Sequence, residues 1–252
     1  MNIVVCIKRV PATDSRIKPA DGGQSIDSSQ VEWIISPYDE IAMEAALQLK
    51  EAAGEGEVTV MTLGPAASTK ELRTCLAMGA DKAVLLTDAE AASRDATSTA
   101  TALATAIGAL SPDLVLCGCR AIDRDQGQVG LLLAAQLDMP CATEIRKLEL
   151  VDGKAVIERP GDNGTTETWE LTTPAVLTCA KGLNEPRYAS LKGIMKAKKK
   201  PIDQQDVDPG NGSLAVLSLE LPAPRREGQI VGNGPEAVGE LVRLLREEAK
   251  VL

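Results

Sequence analysis

The chain has 252 residues, of which 44% are hydrophobic and 25% charged, and its formal net charge is −9. This composition is typical of one large globular domain, or of a domain with a long appendage. The negative charge argues against nucleic-acid binding, because a phosphate backbone would be repelled. No apolar run approaches the length of a membrane span, so we expect a cytoplasmic protein that is not membrane-spanning.

The residue types present also limit the chemistry. The sequence has no histidine, which excludes Ser-His-Asp and Cys-His catalysis and histidine-ligated metals. The six cysteines form no C-x-x-C pair, and most lie in apolar, strand-like runs, where a free thiol packs as a small hydrophobe. We therefore expect neither a disulfide framework nor a metal site.

Strands and helices alternate through the first half of the chain. Between the first strand and the first helix, residues 13–27 indicate a loop or a small hairpin. Ser36-Pro37 begins the first helix, with Ser36 as its cap and Asp39 at the capping-box position. Repeated strand–helix units predict a doubly wound, mostly parallel sheet. The predicted buried strands cover residues 3–7, 58–63, 83–86 and 113–117.

The connection after the fourth strand is the candidate ligand-binding loop. It covers residues 118–128, has glycines near both ends and leads into a helix over 129–137. Free N–H groups and the helix dipole make such a helix start an anion site. Ligands of these sheets bind at the carboxyl ends of the strands, where Lys8-Arg9, the 36–39 turn and Leu63-Gly64 also lie. An ordinary strand–loop–helix connection explains the loop equally well.

The pattern changes after Pro140. Hairpin turns at 152–153 and 162–164 separate short strands. A loop over 183–191 and a short basic helix over 194–200 follow. Residues 201–234 predict an extended arm with one strand-like run at 213–221, and residues 235–250 a final amphipathic helix. The arm packs either on a partner or on its own domain. The predicted hairpin strands are 145–151, 155–159, 166–171 and 175–179.

Several stretches of the chain carry distinctive strings of residues. The most specific is LNEPRYASLKGIMKAKKK at residues 183–200. The others are CIKRV at 6–10, PYDEIAMEAAL at 37–47, LAMGAD at 76–81, AID at 121–123 with QVG at 128–130, and ER at 158–159 with PAV at 174–176. Together, and over nearly the whole chain, these stretches resemble the β subunit of electron transfer flavoproteins.

The resemblance implies an electron-carrier subunit rather than an enzyme. It would form a heterodimer with an electron transfer flavoprotein α subunit and share that subunit's FAD. It would accept electrons from an acyl-CoA dehydrogenase, as in fatty acid oxidation, or from a related flavin dehydrogenase, and pass them to the respiratory chain. The implied fold is Rossmann-like with an added hairpin region. Residues 1–190 would form the nucleotide-binding domain, and 191–252 the docking helix and an arm that wraps the α subunit.

The resemblance also implies AMP as a structural ligand, and it implies two sets of site residues. The implied AMP-binding residues are Cys6, Ser36, Pro37, Tyr38, Asp39, Leu63, Gly118, Cys119, Arg120, Ala121, Ile122, Asp123, Arg124, Asp125, Gln126, Gly127, Gln128, Val129 and Gly130. The implied dehydrogenase-docking residues are Tyr188, Leu191, Ile194, Met195, Lys196 and Lys199.

Two alternatives stay open. A branch of the family that bifurcates electrons, using NADH, binds a second FAD in place of AMP. It favours Val-Gly in the loop, as at Val129-Gly130, but usually with a proline where this chain has Leu131, so we expect AMP. An adenine-nucleotide hydrolase or ligase needs charge-neutralising groups around the phosphates. Arg120 and Arg124 could neutralise phosphate charges, but ordinary salt bridges to the neighbouring aspartates explain the presence of these two arginines more simply.

Overall fold

A computed structural model describes residues 1–207, 214–224 and 227–252, which form two compact units, Met1–Leu219 and Glu220–Leu252. The first unit contains all the strands of the described chain. In order, its elements are β1 Asn2–Cys6, β2 Arg9–Pro11, β3 Trp33–Ile35, α1 Pro37–Ala53, β4 Glu57–Gly64, α2 Thr69–Met78, β5 Lys82–Thr87, α3 Ala96–Gly108, β6 Leu114–Gly118, α4 Val129–Leu137, β7 Cys141–Ile145, β8 Lys147–Val151, β9 Lys154–Pro160, β10 Thr166–Thr172, β11 Ala175–Cys179, α5 Leu191–Ala197 and β12 Asp203–Asp206.

The central sheet has seven parallel strands in the order β12-β5-β4-β1-β6-β11-β7, which confirms the doubly wound prediction. Its inner strands β5, β4, β1, β6 and β11 are mainly apolar and buried because helices cover both faces. One face packs on α1 and α2, and the other on α3 and α4. The chain therefore runs from β1 through β4 to β5 along one face, and returns through α3 to β6 on the other side of β1. Between β1 and β6 the strand order reverses, which is where sheets of this kind bind ligands.

The hairpin region is partly as predicted. β8, β9 and β10 form an antiparallel sheet, and Asp152 and Gly153 have the positive φ angles that a type I′ turn requires. The prediction for residues 175–179 as a hairpin strand is wrong. β11 is buried along its whole length and lies parallel to β6 in the central sheet. The predicted strand 145–151 is also divided at Arg146, since β7 joins the central sheet and β8 the antiparallel one.

Two other predictions concern connecting segments. The excursion before α1 is a hairpin, because β2 and β3 pair and Pro19 bridges to Ile26. The predicted strand over 213–221 is wrong for residues 214–221, which form no strand, and Ser213 lies outside the described residues. A short strand that the sequence did not suggest, β12, instead pairs with β5 at the edge of the central sheet.

The second unit, Glu220–Leu252, contains the amphipathic helix α6 Val238–Glu247, inside the predicted range 235–250. None of the described residues of this unit is buried. A ten-residue helix of this kind gains its stability mainly by packing its apolar face. No helix in the described part of the chain is both long and apolar enough to cross a membrane.

The short helix α5 begins at Leu191, three residues before the predicted start, because the Ser190 hydroxyl accepts the Gly193 N–H. Leu191 therefore belongs to the helix. Its polar neighbours had suggested a loop, and that prediction is wrong for this residue. The helix packs on α2. Arg73 donates to the carbonyl oxygens of Ala197 (2.6 Å), the last residue of the helix, and of Lys200, just beyond it. The residue at 193 must be small, because a Cβ there would overlap the carbonyl oxygen of Ala77.

We predict that Gly193→Ala destabilises the protein by about 1–3 kcal/mol, because α5 must move away from α2 to make room for the methyl group. Gly108→Ala is the matched control. Gly108 also lies in a helix, but an added Cβ would meet nothing within 4 Å. Urea midpoints at constant m-value measure both effects, and equal midpoints for the two variants would contradict the close packing of α5 on α2.

Candidate functional site

The carboxylate of Asp39 joins the ends of the two central strands. Its Oδ2 accepts the N–H of Lys8, just beyond β1, and its Oδ1 accepts the N–H of Gly118 at the end of β6, both at 2.8 Å. Asp39 is buried, and a Cβ at Gly118 would overlap its Oδ1. A single side chain from the first turn of α1 therefore spans the point at which β1 and β6 diverge.

This arrangement replaces the predicted capping box, which is wrong. Ser36 occupies the N-cap position of α1, but its side chain makes no cap hydrogen bond, and its buried hydroxyl has no partner in the structure as described. Its backbone N–H donates to the carbonyl oxygen of Lys8 (2.9 Å). Asp39 turns to the strand ends because two N–H groups there have no neighbouring strand to accept them.

Burial raises the pKa of Asp39 to about 7, and the hydrogen bonds from Lys8 and Gly118 only partly oppose that shift. The pKa of the nearby Cys117 thiol is shifted in the same direction. A hydrogen bond with Cys6, followed by burial, raises the pKa of Cys117 well above its usual value. Cys117 is therefore a protonated packing group at neutral pH and not a nucleophile.

A pocket opens beside Asp39 at the carboxyl ends of β1 and β6. One feature of this pocket suits an anionic ligand. At one side lies the first turn of α4, whose N-cap residue Gln128 makes no side-chain cap bond and whose first intrahelical bond is from Leu132 to Gln128. The earlier N–H groups of that turn are thus directed out of the helix. The predicted residues that line the pocket are Cys6, Asp39, Leu63, Gly118, Cys119, Arg120, Ala121, Arg124, Gln126, Gly127, Gln128, Val129 and Gly130.

The other predicted residues do not line this pocket, and most support the residues that do. Asp123 pairs with Lys8 (2.6 Å) and Asp125 with Arg120 (3.2 Å). The Arg120 guanidinium also lies over the Tyr38 ring, 5.6 Å from its centre. The predicted residues outside the pocket lining are Ser36, Pro37, Tyr38, Ile122, Asp123 and Asp125.

One wall of the pocket was missed by the sequence analysis. It is formed by the connection between β5 and α3 and by the first turns of α3. The Asp95 side chain caps α3 by accepting the Ser98 N–H (2.8 Å). The only available signal was that this connection also follows a parallel strand, and so must lie at the same edge of the sheet. The additional lining residues, including three on or just beyond the ends of β1 and β6, are Ile7, Lys8, Ala91, Arg94, Asp95, Ala96, Thr99, Leu103 and Cys117.

The predicted docking residues lie on and just before α5. Tyr188 is 98% exposed, Leu191 83% and Met195 70%, while Ile194 is 40% exposed. Lys196 and Lys199 are also exposed. The segment before the helix is fixed to α1 by Arg187, whose guanidinium bonds Glu44 (2.7 and 2.9 Å) and Glu51 (2.5 and 3.0 Å).

Comparison with known proteins gives a consistent result. Residues 25–209 match the model of the electron transfer flavoprotein domain. The chain is similar to the electron transfer flavoprotein subunit beta of Bacillus subtilis (strain 168), with 42% identity over 100% of both chains. It is 41% identical to the subunit of the same name from Thermoanaerobacterium thermosaccharolyticum, over 97% of this chain and 98% of the other. It is also 43% identical to subunit CarD of the caffeyl-CoA reductase-Etf complex of Acetobacterium woodii, over 98% and 99% of the chains.

We predict that the stability of the Asp39→Asn variant depends less on pH than the stability of the wild type. Because the pKa of Asp39 is raised in the folded state, its contribution to stability is present below pH 4 and is lost as the pH rises towards about 7. The wild type should therefore lose stability relative to Asp39→Asn over that interval. Urea unfolding at several pH values measures the difference, and parallel curves would contradict it. Asp113→Asn is the control, since Asp113 is exposed and accepts the Asn2 N–H at the opposite ends of β1 and β6.

Proposed function

Because the chain belongs to the electron transfer flavoprotein family and matches its β subunits, we propose that it pairs with an FAD-bearing α subunit and binds AMP in the pocket beside Asp39. We also propose that it docks an acyl-CoA dehydrogenase or a related flavin dehydrogenase in the cytoplasm and passes electrons towards the respiratory chain. Members of this family carry electrons rather than act as catalytic enzymes. The FAD supplies the redox chemistry. The residues of this chain bind the nucleotide and the partner proteins, and they help to position and shield the flavin.

The observation that carries the nucleotide proposal is the position of the pocket, at the reversal of strand order and against the start of α4. The N–H groups of that first turn suit a phosphate. Lys8, Arg120 and Arg124 also line the pocket, where Asp123 and Asp125 offset the charges of the first two. Cys6 and Leu63 offer an apolar surface for a base.

A second FAD in the same pocket is the alternative ligand. Two observations favour it: the Val129-Gly130 pair in the loop, and the similarity to a subunit of a caffeyl-CoA reductase-Etf complex. Denaturing the purified heterodimer and measuring the mass of the released nucleotides decides between the two. One FAD and one AMP per heterodimer support the proposal, whereas two FAD molecules and no AMP support the alternative.

We predict that Gly130→Ala lowers the amount of nucleotide bound. A Cβ at this position would lie 2.6 Å from Cγ2 of Thr178 on β11, so the first turn of α4 must shift and its N–H groups move. Thr178→Ser removes that methyl group and keeps the hydroxyl that accepts the Glu144 N–H. The double variant should therefore recover nucleotide content. Full AMP content in Gly130→Ala alone would refute the role of this turn.

The C-terminal arm is proposed to wrap the α subunit. The second unit has no buried residue in its described part, and α6 exposes apolar side chains at Val238 (53%) and Leu241 (42%). A short helix with an unpacked apolar face is stabilised by a partner surface. In the proposed heterodimer that partner is the α subunit.

Docking of the dehydrogenase is proposed to centre on α5. Leu191, Ile194 and Met195 are exposed on this one helix, and lysines follow them. Apolar anchors that fill a pocket supply most of the binding energy of such contacts, while nearby charges steer the encounter. The bonds of Arg73 to the end of α5 and of Arg187 to α1 hold the anchors in place before binding.

We predict that Leu191→Ala weakens the dehydrogenase complex about thirtyfold, since truncating such an anchor costs about 2 kcal/mol. Flavin and nucleotide content should not change. The measurement is the apparent KM for the heterodimer in steady-state reduction by the dehydrogenase. Val151→Ala, which shortens a half-exposed side chain on the antiparallel sheet, is the control. Equal KM values for Leu191→Ala and the control would rule the anchor out.

A further inference from the structure

Arg124 lies in the acidic stretch Asp123-Arg124-Asp125, but it pairs with neither neighbour. The two aspartates are directed to other cations, Asp123 to Lys8 and Asp125 to Arg120. The expectation of a local salt bridge is therefore confirmed for Arg120 and wrong for Arg124. The guanidinium of Arg124 instead points across the pocket wall to backbone groups about thirty residues earlier in the chain.

The acceptors of Arg124 are two carbonyl oxygens of the connection between β5 and α3. Nη1 donates to the carbonyl oxygen of Arg94 (3.1 Å), and Nη2 donates to that of Ala92. Bonds from a charged donor are stronger than neutral ones, and the flat fork of a guanidinium suits two acceptors at once. One side chain thereby ties the loop before α4 to the turn before α3.

The accepting turn is itself held in place by the buried carboxylate of Asp88. One oxygen accepts the Glu90 N–H (2.9 Å) and the other accepts Nε of Arg94 (3.0 Å), while the Asp88 N–H donates to the carbonyl oxygen of Gly64 at the end of β4. The carbonyl groups that face Arg124 thus belong to a turn that is fixed to the sheet. Arg124 connects the loop before α4 to this fixed turn.

Both ends of this connection lie in the pocket lining. Arg124 belongs to the loop that leads into α4, and Ala91 and Arg94 belong to the opposite wall. A ligand between these walls can leave without disturbing Arg124 only if the opening elsewhere is wide enough. Otherwise one wall must move, and the bonds of Arg124 must break first.

We propose that Arg124 is a positioning residue that latches the two walls of the nucleotide pocket together and slows the release of the bound nucleotide. The latch acts on the ligand through the walls, and no contact between Arg124 and the ligand is required. This inference rests on the proposed function, because it concerns a nucleotide in this pocket.

The test is the rate of AMP release from the intact heterodimer. Protein loaded with radiolabelled AMP is diluted into excess unlabelled AMP, and the bound label is followed over time. Arg124→Met keeps the length of the side chain and removes its donors, so it should release AMP at least tenfold faster than the wild type. Arg124→Lys retains a charged donor for one carbonyl group and should lie between the two. Lys154→Met, which loses one positive charge on the antiparallel sheet, is the control.

A second readout does not depend on the ligand. Hydrogen–deuterium exchange of the amides at residues 89–95 should be faster in Arg124→Met than in the wild type, and Arg124→Lys should restore part of the protection. Unchanged exchange in this segment, or equal release rates for the wild type and Arg124→Met, would overturn the latch. A wild-type heterodimer without AMP would refute the proposed nucleotide site, and the exchange experiment would still decide whether Arg124 ties the two walls.

Discussion

The two hydrogen bonds that Asp39 accepts from the ends of β1 and β6 are the constraint on which the rest of the structure depends. Parallel strands that separate at a switch point leave backbone N–H groups without a neighbouring strand, and in a buried place these groups need an acceptor. The carboxylate satisfies both at 2.8 Å. It thereby keeps the crevice open at its base, and it fixes the start of α1 relative to the sheet.

That helix also holds the segment that leads into α5, the proposed docking helix. On its later turns, Glu44 and Glu51 bind Arg187, and the carbonyl oxygen of Ile41 accepts the Asn184 side chain (3.0 Å). The pocket and the segment that leads into α5 are therefore both attached to the same helix, α1. A buried glutamate on a helix is expensive unless it is paired, and here its pairing places the chain that precedes the exposed apolar anchors.

The sequence predicted the parallel sheet and the loop before α4 because both depend on local patterns, namely continuous apolar runs and glycines before a helix. The sequence-based predictions were wrong where contacts between distant parts of the chain determine the structure. Asp39 at a capping-box spacing looked like a cap, yet its partners lie 31 and 79 residues away. The apolar run at 175–179 follows two hairpin turns, so it was predicted to be a hairpin strand. It is in fact a fully buried strand of the central sheet. Arg124 beside two aspartates looked like a surface ion pair for the same reason.

The edge strand β12 has a consequence for the life of the subunit before it meets a partner. An open sheet edge is a template on which strands of other chains can add, and native proteins protect such edges with short, charged strands. β12 consists of Asp203, Gln204, Gln205 and Asp206, all exposed, and it covers the edge of the apolar strand β5. Before assembly, this edge of the sheet therefore ends in a short strand with two carboxylates, which disfavours the addition of a strand from a second copy.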